Sequence, residues 1–124
     1  MSTYGPGHRG LDLAAAPGAP VLAVEGGLVT HAGSVAGRGT VTVEHGDGLR
    51  STYEPVTPGV ARGARVEAGD ALGVVQRVGS PDAAPHCATA TCLHLGARLG
   101  PAYVDPLPLL TGGRLALLPL TIGR

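Results

Sequence analysis

The sequence has no Phe, no Trp and no Lys, and only three Tyr, two Cys and one Met among its 124 residues. Without large aromatics, a core must be assembled from Val, Leu and Ala, and the chain is long enough to enclose one such core but not two. A single domain over residues 1–124 is the expectation. The absence of lysine leaves nine Arg as the whole basic complement, balanced by nine Asp and Glu to a formal charge of zero. No basic stretch stands out, which argues against nucleic acid or an anionic membrane surface as partner. Nor is there an apolar run of the eighteen or so residues that a membrane span requires. The stretch Met1 to Gly7 lacks a charged start followed by an apolar segment, so no signal peptide is read there.

What the chain has in abundance is glycine, 21 residues, and proline, 11 residues. With β-branched Val and Thr, these favour short strands and tight turns over long helices. Short apolar runs alternate with turn signals, and no window sustains a 3.6-residue period. The reading is an all-β domain, a compact antiparallel sandwich or barrel-like sheet. Strands are expected at 11–13, 20–24, 27–32, 39–45, 49–54, 65–66, 71–78 and 92–98. The segment His45-Gly46-Asp47-Gly48, between Thr40-Val41-Thr42-Val43 and Leu49-Arg50-Ser51-Thr52-Tyr53, is the clearest hairpin. Residues 79–91 read as a cysteine-bearing loop. The tail from 111 to 124 reads as a C-terminal extension, with Leu115 to Leu120 apolar enough to dock as a last strand.

Cys87 and Cys92 lie five apart, close enough for a disulfide if the backbone turns back, a pairing that leans towards an oxidising compartment. Free thiols are the alternative. Chemistry-bearing residues gather in two half-motifs about eighty residues apart, His8-Arg9-Gly10-Leu11-Asp12 and Cys92-Leu93-His94. Two imidazoles and a carboxylate suit a borderline cation such as zinc, and three protein ligands leave a fourth position open, as in catalytic sites. A surface His-Asp pair is the bland alternative for His8 and Asp12. His31 and His45, at strand ends beside glycines, read as ordinary exposed residues.

These segments resemble one family, the lysostaphin-type (LytM-like) zinc metallopeptidases that cut peptide cross-bridges in bacterial peptidoglycan. The resemblance runs through Gly7-His8-Arg9-Gly10-Leu11-Asp12-Leu13-Ala14, Gly26-Gly27-Leu28-Val29, Val43 to Leu49, Val66 to Gly73, and Cys92-Leu93-His94-Leu95-Gly96-Ala97-Arg98 followed by Tyr103-Val104-Asp105-Pro106. Five such segments in the family's order are specific where one would be weak. The resemblance implies the family's duplicated hybrid-motif fold and one zinc ion held by His8, Asp12 and His94. It also implies that residues 1–7 are the remnant of an upstream segment.

The same alignment implies two catalytic histidines, and neither is present: Pro55 and Cys92 stand at their positions. Proline has no ionisable group. Cys92, on the same strand face as His94, is either a fourth ligand as a thiolate or the partner of Cys87. His86 and Glu54 are the candidate substitutes for the lost bases, although adjacent strand residues face opposite ways, which counts against Glu54 replacing Pro55. Tyr53 and Arg9 read first as packing and plain solvation, with a place in a substrate groove as the second role of each. Three functions follow as expectations: a zinc endopeptidase directed at peptidoglycan cross-bridges, with weak activity; a catalytically silent relative that binds cell wall or regulates another hydrolase; and a structural zinc domain closed by Cys92. The expected protein is a monomer, extracellular or cell-wall associated.

Overall fold

Strand β4 (Arg38–Gly46) shows how the sequence makes the sheet, because buried and half-exposed residues alternate along it, with Val41 and Val43 fully buried and Thr40 and Thr42 turned outwards. A period of two puts every second side chain on one face, so β4 has a core side and a polar side. The same alternation recurs in β5 (Leu49–Glu54), where Leu49, Ser51 and Tyr53 are buried and Arg50, Thr52 and Glu54 are not. The turn between them carries Gly46, Asp47 and Gly48 at φ of 106°, 55° and 80°. Two glycines and an Asp are the residues for which three successive left-handed conformations cost least.

The structure, a computed structural model, describes residues 10–77 and 92–106. The other described strands are β1 (Gly10–Ala14), β2 (Pro20–Leu22), β3 (Gly27–Val35), β6 (Val56–Pro58), β7 (Arg65–Val66), β8 (Ala71–Val75), β9 (Cys92–Leu99) and β10 (Ala102–Val104). Among the described residues there is no helix, and none long and apolar enough to cross a membrane. The larger sheet runs β1-β9-β5-β4-β3-β7, with β10 also paired to β9, and the smaller runs β2-β8-β6, all pairs antiparallel. The all-β antiparallel architecture is as expected. Strands β6 and β10 were not expected; β3 runs three residues further than read, to Val35, while β2 and β8 stop short at Leu22 and Val75. The expected loop at 79–91 and final strand at 115–120 lie outside the described residues.

The core lies between the sheets. Val29, Val41, Val43, Tyr53, Leu95 and Ala97 enter it from the large sheet, and Val21, Val56, Leu72 and Val75 from the small one. Because these residues are mostly small, the sheets approach closely: a Cβ on Gly39 of β4 would collide with the Val56 carbonyl oxygen of β6. The other face of the large sheet, across β1, β9, β5 and β4, is polar and half-exposed, and it bears the site.

Candidate metal centre

Asp12 and His94 are 82 residues apart in sequence and directly opposite each other in the β1–β9 ladder. Directly opposed residues share a face, and His94 Nδ1 lies 2.9 Å from Asp12 Oδ1. A carboxylate only accepts, so here Nδ1–H is the donor. The other ring nitrogen, Nε2, sits over Gly10, where an added Cβ would come within 2.9 Å of it. The imidazole is therefore laid across β1 with Nδ1 turned to the carboxylate. Both side chains are partly open to solvent, His94 at 40% and Asp12 at 29%, which leaves room for an ion to approach.

The donor set fits a zinc ion. Ligands about 2.0–2.1 Å from a tetrahedral zinc are about 3.3 Å apart, so the observed pair needs only a small opening when the shared proton leaves. Among the described residues no group of three or more His, Cys, Asp and Glu side chains converges. A third ligand would have to come from elsewhere. His8, the expected one, lies outside the described residues, as do Arg9, His86 and Cys87.

Glu54 is the residue opposite His94 on the other flank, in the β5–β9 ladder. It shares the site face, because alternation that turns Pro55 into the core turns Glu54 out; Pro55 is buried. Its Oε2 accepts from Arg38 Nε at 2.7 Å, an ion pair in which both side chains are about a third exposed (32% and 35%). Cys92, opposite Ala14, is buried at the head of β9 and is disulfide-bonded. The chain's only other cysteine is Cys87.

Of the two roles read for Tyr53, packing is the one observed and the groove is corrected: it is 1% exposed in the core, and its hydroxyl accepts from the Val24 N–H at 3.0 Å and lies 2.8 Å from Ser51 Oγ. Burial pushes its phenol up to about 12. His45, read as an ordinary exposed residue, is also corrected. It is half-buried, Nδ1–H donates to the Gly26 carbonyl at 2.9 Å, and Nε2 lies 2.7 Å from Ser51 Oγ. This chain of side chains ties the β2–β3 connection to the large sheet. Its sequence signal was Ser51, a hydroxyl on the apolar face of a strand, which must find a partner when buried.

Gly10 is the point where site and scaffold meet. Its missing side chain admits the Leu95 carbonyl oxygen and places Gly96 Cα within 2.9 Å of the Cβ position, as well as His94 Nε2. In Gly10→Ala the backbone of β1 must lift from β9. A loss of about 1–3 kcal/mol in thermal or denaturant unfolding is expected, and the Asp12–His94 spacing opens with the ladder.

An imidazole and a carboxylate facing one another across a β ladder, beside a second carboxylate, is an arrangement that a metallopeptidase-like β domain would use. The model of peptidase family M23 matches residues 6–106. The chain belongs to that family, whose members are typically zinc-dependent peptidases acting on peptidoglycan. It is 44% identical over 122 residues to an uncharacterised protein of Mycobacterium tuberculosis, covering 95% of this chain and 47% of that one. It is 31% identical over 101 residues to a DD-carboxypeptidase/endopeptidase, Mpg, of Neisseria meningitidis, covering 81% of this chain and 22% of that protein. Lysostaphin, an antimicrobial peptidase of Staphylococcus simulans, superimposes with a TM-score of 0.70 at 26% identity, over 85% of this chain and 43% of that one. The chain thus spans less than half the length of each of these relatives.

Proposed function

We propose that this domain binds one zinc ion through His8, Asp12 and His94 and hydrolyses peptide cross-bridges of bacterial peptidoglycan, slowly. The observation that carries the reading is the 2.9 Å approach of His94 Nδ1 to Asp12 Oδ1. Zinc bound there supplies Lewis acidity, polarising a peptide carbonyl and acidifying a water molecule. His94 and Asp12 hold the ion, and Gly10 lets the imidazole lie flat enough to reach it. Glu54 stands beside His94 with Oε2 fixed by Arg38, and serves as the proton acceptor that Pro55 cannot be. His86 is the second candidate for that role. General acid–base catalysis contributes about 10²–10⁴-fold, so a site with a displaced base runs slower than one with both histidines by up to that factor.

The test is release of free amino groups from purified peptidoglycan by the zinc-loaded protein. Release that stops with chelator and in His94→Ala supports the enzyme. A protein with stoichiometric zinc that binds peptidoglycan and releases nothing supports the second reading, a silent wall-binding relative, which the replacement of both catalytic histidines by Pro55 and Cys92 favours. Either activity belongs in the cell envelope or outside it, where a disulfide persists.

The third reading, a structural zinc closed by Cys92, needs a thiolate, and a disulfide sulfur is not one. Cobalt-substituted protein in its oxidised form is therefore expected to show no thiolate-to-cobalt charge-transfer absorption. A band of that kind in unreduced protein would put Cys92 or Cys87 in the coordination sphere and restore the structural reading.

A further inference from the structure

Arg50 and Arg98 stand directly opposite each other in the β5–β9 ladder, on the same face as His94 and Asp12. Like charges directly opposed in an antiparallel pair repel at close range, so such a pair persists where something else compensates. Glu44, opposite Arg50 on β4, is the carboxylate set against the pair in the described ladders, and it makes no ion pair with Arg50. Arg98 Nε is buried without a hydrogen-bond partner, an unmet donor of the kind that native structures rarely leave. Its guanidinium carbon sits 5.3 Å from the ring centroid of Tyr103, the residue facing it on β10. Stacking on an aromatic face fixes a guanidinium while leaving its in-plane donors free for a planar anion.

The position of the pair says what kind of anion. Arg98 is four residues along β9 from His94, about 13 Å at strand rise. An extended peptide crosses about 13 Å in about four residues. We propose that Arg50 and Arg98 form a carboxylate subsite, which takes a short extended peptide bearing a free carboxylate about four residues from the bond held at His94. This rests on the reading of that face as the peptide-binding face, though not on turnover. Two guanidinium forks meet a carboxylate with paired, charge-assisted hydrogen bonds, and the anion cancels the repulsion between them.

Co-sedimentation with purified peptidoglycan tests it, using wall preparations whose free carboxylates are either intact or converted to amides with carbodiimide and ammonia. Wild-type protein is expected to bind the amidated material about tenfold more weakly, the worth of one good charged contact. Arg50→Gln/Arg98→Gln is expected to bind both materials alike, at the weaker level, and Arg98→Lys to retain part of the preference. Because the pair is self-repelling, Arg50→Gln should melt no lower than wild type; a clear drop would make the pair structural and overturn the proposal. Equal binding of wild type to both materials, no binding to either, or a carboxylate preference that survives in the double variant would also overturn it. In His94→Ala the preference should persist while hydrolysis is lost. A wild type that shows the preference but no hydrolysis would sink the proposed reaction and leave the subsite standing.

Discussion

His94→Ala protein, purified and dialysed against zinc, is expected to retain less than a hundredth of the wild-type affinity for the ion. Even outer-sphere partners of metal ligands cost about 10–100-fold when removed, and His94 is read as a ligand itself. The substitution removes Nδ1 and leaves Asp12 facing an empty position across the ladder. It should not unfold the domain, because the His94 side chain is 40% exposed and its recorded partner is Asp12; exposed positions usually move stability by about 0.5 kcal/mol or less. Equilibrium dialysis with metal analysis, alongside a melting curve, separates the two effects. Asp12→Asn should fall between, keeping an oxygen donor and losing the charge. An unchanged zinc affinity in His94→Ala would place the ion elsewhere.

The second large effect is expected in the core. Tyr53 is the largest of the fully buried side chains among the described residues, in a molecule with no Phe or Trp to share the load. Tyr53→Ala combines an aromatic-sized cavity with the loss of the hydroxyl that satisfies the Val24 N–H, and about 4–5 kcal/mol is expected. A domain of this size is stable by about 5–15 kcal/mol, so this variant is expected to lose about a third or more of its stability and to melt far below wild type. Tyr53→Phe isolates the hydroxyl and should cost about 1–3 kcal/mol. The phenol also predicts an alkaline limit. Its folded pKa is raised, chiefly by burial, from 10.0 to about 12, so the neutral form is favoured in the folded state. The associated stability is fully present below pH 10 and lost as pH rises through about 12, to the extent of about 3 kcal/mol. Denaturant titrations from pH 9 to 12 should show that decline in wild type and a flatter profile in Tyr53→Phe. Equal slopes would mean that Tyr53 is not the group responsible.

The hairpin of β4 and β5 was legible because everything that fixes it is local: two-residue alternation on both sides and three turn residues that tolerate positive φ. Residues 12 and 94 were legible as members of one site, through the two half-motifs and the resemblance, yet their direct opposition was not, since register between strands 82 residues apart is set by the whole β1–β9–β5 packing order. The alternation that sets Glu54 and Pro55 on opposite sides held, and it is Glu54, opposite His94, that shares the site face while Pro55 is buried. His45 was misread because neighbouring glycines signal exposure, while its actual surroundings, Gly26 and Ser51, come from other strands or their connections. Strands β6 and β10, three residues each, are too short to carry a period and are held by their neighbours. The Arg50–Arg98 juxtaposition is likewise a property of pairing, invisible in a sequence whose arginines are scattered.

The most direct test of the account is the coordination sphere of the zinc-loaded protein, by crystallography with metal analysis of the same preparation. One zinc per chain, bound by Asp12 through a carboxylate oxygen and by His94 through Nδ1 with His8 as the third ligand, is the predicted result. Protein that retains no zinc, or holds it without Asp12 and His94, would contradict it.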